Sequence, residues 1–135
     1  MASLIEEAPR FFGYYNLIFL GQAFAYTALL SLVGCGLGFL VGFVLAVLRN
    51  ERIIGFAPLR WFATIYVEIF RRIPFLVKLM VVFFAFQLAG FDASMFAVAA
   101  TTVALSASAF SAENIRAGLE SVHKNQWDAA ETMNM

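Results

Sequence analysis

Residues 11–48 read FFGYYNLIFLGQAFAYTALLSLVGCGLGFLVGFVLAVL, a stretch without one charged side chain. An α-helix crosses the hydrocarbon core of a bilayer in about 20 apolar residues. The stretch is too long for one crossing, so part of it lies outside that core. Gly13 and Asn16 mark its start as an interfacial segment, with Phe11, Phe12, Tyr14 and Tyr15 as an aromatic belt. The first span is therefore expected at about 22–48. The residues before it, among them Glu6, Glu7, Pro9 and Arg10, lack the basic start and small-residue cleavage site of a signal peptide.

The composition agrees. The chain of 135 residues is 62% hydrophobic and 13% charged, with sixteen Phe. Soluble domains carry about a quarter charged residues, and a chain this apolar could not cover itself with polar surface in water. That argues against a soluble enzyme. Nine Lys and Arg balance nine Asp and Glu, so no net field points to nucleic acid. The sole cysteine, Cys35, can form neither an internal disulfide nor a thiolate metal cluster. The length allows roughly three or four crossings.

A polar loop, Arg49-Asn50-Glu51-Arg52 followed by Pro58 and Arg60, separates the first span from a second hydrophobic segment at 61–91. This one carries Glu68, Arg71, Arg72, Pro74 and Lys78 in its first half, and its charge-free part, 79–91, is too short to span. Either the helix begins near 61 with charges inside the membrane, or it lies along the interface until about 72. Gly90, Phe91 and Asp92 make a turn. The third span, 93–112, is free of charge, and residues 113–135 form a soluble tail with Glu113, Arg116, Glu120, Lys124, Asp128 and Glu131. Basic residues mark cytoplasmic loops. Arg49, Arg52 and Arg60 in one loop, with Arg116 and Lys124 in the tail, place the N-terminus outside and 113–135 in the cytoplasm.

Gly34, Gly38, Gly42 and Ala46 repeat every four residues along one face, as do Ala100, Ala104, Ser108 and Ala112 in the third span. Small residues let helices approach closely where lipid removes the hydrophobic drive. The stripes fit generic helix packing as well as a specific role; either way they expect neighbours. Glu68 lies three residues from Arg71 and four from Arg72, which makes them neighbours on a helix surface. Pro74 removes the backbone hydrogen bond to residue 70 and favours a kink. Glu68, Arg71, Pro74 and Lys78 thus form either a polar element at a pathway or subunit contact, or a set of basic stems that snorkel to the headgroups.

No catalytic constellation is present. His123 has no second ligand at metal spacing. Ser106, Ser108 and Ser111 have no paired His or Asp nearby, and no phosphate loop, nucleophile elbow or HExxH occurs. In the tail, a helix, a turn and a second short helix are expected, with Gly118 a break in helix propensity. Asn125 is a good N-cap, Asp128 suits the first turn, and Asn134 can end the helix in the left-handed conformation. Trp127 and Met133 give this short helix apolar knobs beside the small patch Ala129-Ala130. It suits a partner's cleft or a membrane surface.

Several of these residues together resemble a known family. Ala109-Phe110-Ser111-Ala112-Glu113-Asn114-Ile115-Arg116-Ala117-Gly118, then Ser121-Val122, then Asn125-Gln126-Trp127-Asp128-Ala129-Ala130, is similar to the EAA loop of ABC importer permeases. The likeness is greatest to the polar amino-acid branch, the histidine, glutamine and arginine type. Tyr66 to Lys78 (YVEIFRRIPFLVK) resembles that branch's Y-V-E-x-F-R-G-T-P-L-L-V-Q, and Gly21, Thr27 and Ser31 are similar to its first-span pattern. The resemblance covers about 20–135.

It implies an all-α polytopic fold, the N-terminal part of the type I ABC importer transmembrane domain, with about three spans (22–48, 61–91 and 93–112) and a coupling helix within the EAA-type loop 113–135. It implies a permease of polar amino-acid uptake in the bacterial plasma (inner) membrane. Its partners would be an ABC ATPase, a second permease copy or paralogue, a periplasmic or extracellular amino-acid-binding protein and membrane lipid. No cofactor, metal or nucleic acid is implied on this chain; ATP and Mg²⁺ belong to the partner ATPase. By the same resemblance Gly118, Gln126, Trp127, Asp128, Ala129 and Ala130 fall at the ATPase contact.

The chain departs from the pattern in places. Asp128 stands where Glu is usual, Asn125 and Asn134 where Gly is usual, Arg72-Ile73 replace Gly-Thr, and Lys78 replaces Gln. The family continues past the loop with two more spans, so a truncated or partial permease is expected. A small membrane anchor or assembly protein is the alternative, and a membrane enzyme using Glu68 or Glu113 as acid or base a more distant one.

Overall fold

The structure is a computed structural model that describes residues 13–50, 55–121 and 132–133. Four helices are described among these residues: α1 Tyr14–Arg49, α2 Ala57–Arg72, α3 Phe75–Leu88 and α4 Met95–Glu120. No strand occurs among the described residues, so the all-α class expected from the sequence is the class observed. Helices α1 and α4 are each long and apolar enough to cross a membrane, and α3 is a shorter apolar helix.

Three boundaries differ from the sequence expectation. Helix α1 begins at Tyr14 and not near 22; Gly13 lies just before it, and Leu17 N–H already donates to its carbonyl at 3.1 Å. Backbone groups near a membrane need internal partners, and a helix supplies them even through an interfacial stretch. The 36 residues of α1 give about 54 Å at 1.5 Å per residue, well beyond a ~30 Å hydrocarbon core.

The second segment, 61–91, is divided in two. Pro58 sits in the first turn of α2, where a missing N–H costs nothing. After 16 helical residues Ile73 closes α2 by donating to Ile69 O at 3.2 Å, and Pro74, in extended backbone, opens α3. Pro74 therefore breaks the helix outright, since it lacks the hydrogen for the next rung. Helix α3 has 14 residues, about 21 Å. It ends on Gly90, whose φ of +72° fits the left-handed residue of a Schellman cap. Phe91 N–H reaches Phe86 O and Gly90 N–H reaches Gln87 O, both at 3.1 Å.

Helix α4 starts at a Ser94 N-cap whose side chain accepts from Ala97 N–H at 3.2 Å. It continues past 112 and through Gly118 to Glu120, so the helix runs on through this low-propensity residue. Glycine costs a helix about 1 kcal/mol, and the ladder Glu113–Arg116–Glu120 bridges that turn.

Helices α1 and α4 run parallel, because Gly34 faces Val103 while Gly42, further along, faces Ser111. Gly34, Gly38, Gly42 and Ala46 are all buried. The facing surface of α4 holds Val103, Ala104, Ala107, Ser108, Ser111 and Ala112, broader than the expected stripe. A spacing of four drifts about 40° round the helix per step, so two adjoining stripes share one seam. The buried apolar residues are small: Ala46, Ala63, Val67, Val98, Ala109 and Ala112. Large side chains such as Phe24, Trp61 and Phe84 lie on the outside. This inside-small arrangement suits a lipid-facing bundle, where backbone approach supplies the packing.

Candidate coupling site

At the end of the bundle where α1 stops, one carboxylate gathers three arginines. Glu113 is the first charged residue after the charge-free stretch 93–112. Its Oε2 accepts from Arg49 Nη1 at 2.8 Å, and Arg71 Nη1 stands 3.5 Å from the same oxygen. Its Oε1 accepts from Arg116 one turn on, and Arg116 also reaches Glu120. The side chains of Arg49 and Glu113 are 9% and 17% exposed, so this pair is shielded from water far more than an ordinary surface ion pair. Three helices meet in one ionic knot: α1 through Arg49, α2 through Arg71 and α4 through Glu113.

The knot keeps Glu113 ionised. The hydrogen bond from Arg116 lowers its pKa most, partial burial opposes that, and Arg49 adds a second hydrogen bond. Together they hold the carboxyl at about 2. Charge-assisted bonds of this kind are about twice as strong as neutral ones.

The polar residues read as one cluster in the sequence are separated. Glu68 pairs with Arg72 at 2.8 Å, with side chains 46% and 81% exposed, a pair worth little in solution. Arg71, expected beside Glu68, turns to Glu113. Lys78 is buried and its Nζ donates back to Phe70 O at 3.0 Å. Pro74 forms the break. Tyr66 hydroxyl and Ser108 hydroxyl share a hydrogen bond of 2.9 Å, which ties α2 to α4 one turn below the knot.

Gly118 lies on exposed α4 surface with open space where a Cβ would be. Gln126, Trp127, Asp128, Ala129 and Ala130 fall outside the described residues, as does His123. Among the contacts missed in the sequence are Arg49–Glu113, 64 residues apart, and Tyr66–Ser108, 42 apart. A signal for the first existed. Arg49 and Glu113 close two odd-numbered spans, and so share one membrane side in the expected topology.

An apolar helical bundle with a small-residue seam and an ionic knot at one end belongs to the class of polytopic membrane proteins. Within that class, the model of the binding-protein-dependent transport system inner membrane component family matches residues 37–135, and the chain belongs to that family. The chain is 38% identical over 109 residues to the probable glutamine ABC transporter permease protein GlnM of Bacillus subtilis (strain 168), covering 81% of this chain and 49% of that protein. It is 34% identical over 113 residues to the arginine transport system permease protein ArtQ of the same organism, covering 83% and 50%. A solved structure, the crystal structure of an amino acid ABC transporter with histidines, superimposes with a TM-score of 0.72 at 25% identity, over 88% of this chain and 57% of that one. The chain thus spans about half the length of the curated relatives it matches.

Proposed function

We propose that the chain serves as a permease subunit of an ATP-driven importer of polar amino acids in the bacterial plasma (inner) membrane, with its N-terminus outside and residues 113–135 in the cytoplasm. The observation that carries this reading is the family match over 37–135, which takes in the whole of α4 and the segment beyond it. The named relatives, which include glutamine and arginine permeases, support the substrate class.

In this reading the segment after Glu120 seats in a groove of the partner ATPase, with Gly118, Gln126, Trp127, Asp128, Ala129 and Ala130 at the contact. ATP-driven closure of the ATPase moves that segment and, with it, the end of α4. The Glu113 knot would carry the movement into α1 and α2 at once, because Arg49 and Arg71 hold the same carboxylate. A second permease copy or paralogue completes the pathway, and a separate binding protein delivers the amino acid.

Co-purification with the ATPase subunit of a polar amino-acid importer tests the reading. The unaltered chain and a Glu68→Gln control bind; Asp128→Arg and Ala129→Trp lose binding. Equal retention in all four, or no retention by the unaltered chain, defeats the proposal and leaves the membrane-anchor alternative.

A further inference from the structure

Lys78 replaces an amide residue in the pattern that its surroundings resemble, and the transport reading gives it no task. It is 5% exposed on α3, and no carboxylate pairs with it among the described residues. A buried ammonium needs a reason, because an unpaired charge is costly to hold out of water. The reason lies eight residues back. In an unbroken helix the carbonyl of Phe70 would accept from the N–H of residue 74. Residue 74 is proline, which has none, and the neighbouring amide of Ile73 is already spent on Ile69 O. Lys78 Nζ donates to that orphaned carbonyl at 3.0 Å. The ammonium also stands 5.9 Å from the centroid of the Phe110 ring on α4, within the range of a cation–π contact.

We propose that Lys78 is a positioning residue that fixes the break between α2 and α3, standing in for the amide hydrogen that Pro74 removes. The side chain bridges the gap from the α3 side, so the angle between the two helices is held by a charge-assisted bond and not by the Ile73-Pro74 backbone alone. Phe110 beneath the ammonium ties the same point to α4. The inference concerns the fold at the break and does not depend on the transport reading.

The test is a double-mutant cycle. Lys78→Met keeps the stem and removes the donor; Lys78→Gln keeps a donor without charge; Pro74→Ala returns an amide hydrogen to Phe70 O. The whole chain is purified in detergent with Cys35→Ser, and nitroxide labels are placed through Trp61→Cys on α2 and Phe84→Cys on α3, both exposed positions. Thermal unfolding and the distance distribution between the labels are read for each variant. With Pro74 in place, Lys78→Met is expected to cost roughly three- to tenfold in the folding equilibrium and to broaden the distribution, while Lys78→Gln keeps it narrow. In the Pro74→Ala background, Lys78→Met is expected to cost nothing further. A chain that folds as Pro74→Ala/Lys78→Met but not as Lys78→Met gives the same support. Equal cost in both backgrounds, failure to fold in both, or no change in either assay overturns the proposal.

Discussion

Substituting one glycine in α1 measures how much the fold rests on backbone approach. A Cβ placed on Gly42 would lie 2.7 Å from the carbonyl oxygen of Ser108 and 3.1 Å from the amide nitrogen of Ala112, where ordinary contact begins at 3.4 Å. The third neighbour is Ser111 Cβ at 2.8 Å, and neither backbone nor a Cβ moves with a rotamer change, so none relieves the overlap. The helices would have to part by about 0.7 Å at that point, the difference between 2.7 and 3.4 Å. A gap of 0.5–1 Å forfeits roughly a quarter to a half of each dispersion contact it opens. Overpacking of this kind costs about 1–3 kcal/mol. Gly36 supplies the control: it lies in the same helix and a Cβ there meets nothing within 4 Å. Both substitutions gain the same helix propensity, about 1 kcal/mol, so the difference between Gly42→Ala and Gly36→Ala isolates the seam. Gly34→Ala should fall between them, since its added carbon meets chiefly the side chain of Val103. Unfolding midpoints of the purified chain in detergent read the order directly. Gly42→Ala as stable as Gly36→Ala would refute the close-approach account of the seam.

Glu113→Gln removes the charge that three arginines share and leaves Arg49, 9% exposed, facing a neutral amide. It is expected to cost about 2–3 kcal/mol in chemical denaturation, against at most about 1 kcal/mol for Glu68→Gln in its exposed pair. The folded carboxyl of Glu113 lies at about 2 against an ordinary 4.5. Its stabilisation is therefore full above about pH 4.5 and lost as pH falls toward 2. Acid unfolding in that window should flatten in Glu113→Gln, and unchanged steepness would contradict the assignment. Tyr66→Phe and Ser108→Ala should couple in a double-mutant cycle by about 0.6 kcal/mol, the usual worth of a hydrogen bond between membrane helices. Strict additivity would mean that the 2.9 Å contact contributes nothing.

Much of this was legible in the sequence because membrane helices obey few rules. The uncharged run at 11–48 and the glycines at 34, 38 and 42 required a long helix with one face against a neighbour. The charge-free 93–112 required a second. The run could not say where α1 begins, because Tyr14, Tyr15 and Asn16 tolerate an interface and a helix equally. Nor could spacing alone choose between Arg71 and Arg72 as the partner of Glu68. Positions three and four apart are both neighbours on a helix, and the choice was made by Glu113, 42 residues beyond Arg71. Pro74 was visible as a disturbance. Whether it kinks or breaks a helix depends on what satisfies the freed carbonyl, and that partner, Lys78, is a tertiary fact. For Gln126 to Ala130, outside the described residues, the ATPase-contact reading comes from family resemblance.

Helix α4 is the element on which the others depend. It packs against each of α1, α2 and α3, and it does so by three different means. Toward α1 it offers a seam with no room for a methyl group at Gly38 or Gly42. Toward α2 it offers a hydroxyl pair and the arginine contact at Glu113. Toward α3 it offers the ring of Phe110 beneath Lys78. These contacts differ in how they yield. A close-packed backbone seam resists separation but lets helices slide together, whereas the ionic knot fixes their ends in register. A displacement of the end of α4 is therefore expected to carry α1 as a rigid companion and to reach α2 through Arg71, while α3, joined through the Pro74 break, has a joint of its own at which to turn. Loosening that joint should change how α3 follows α4 and leave the α1–α4 pair intact. The labelled Lys78→Met chain, measured a second time with labels on α1 and α4, would separate the two behaviours.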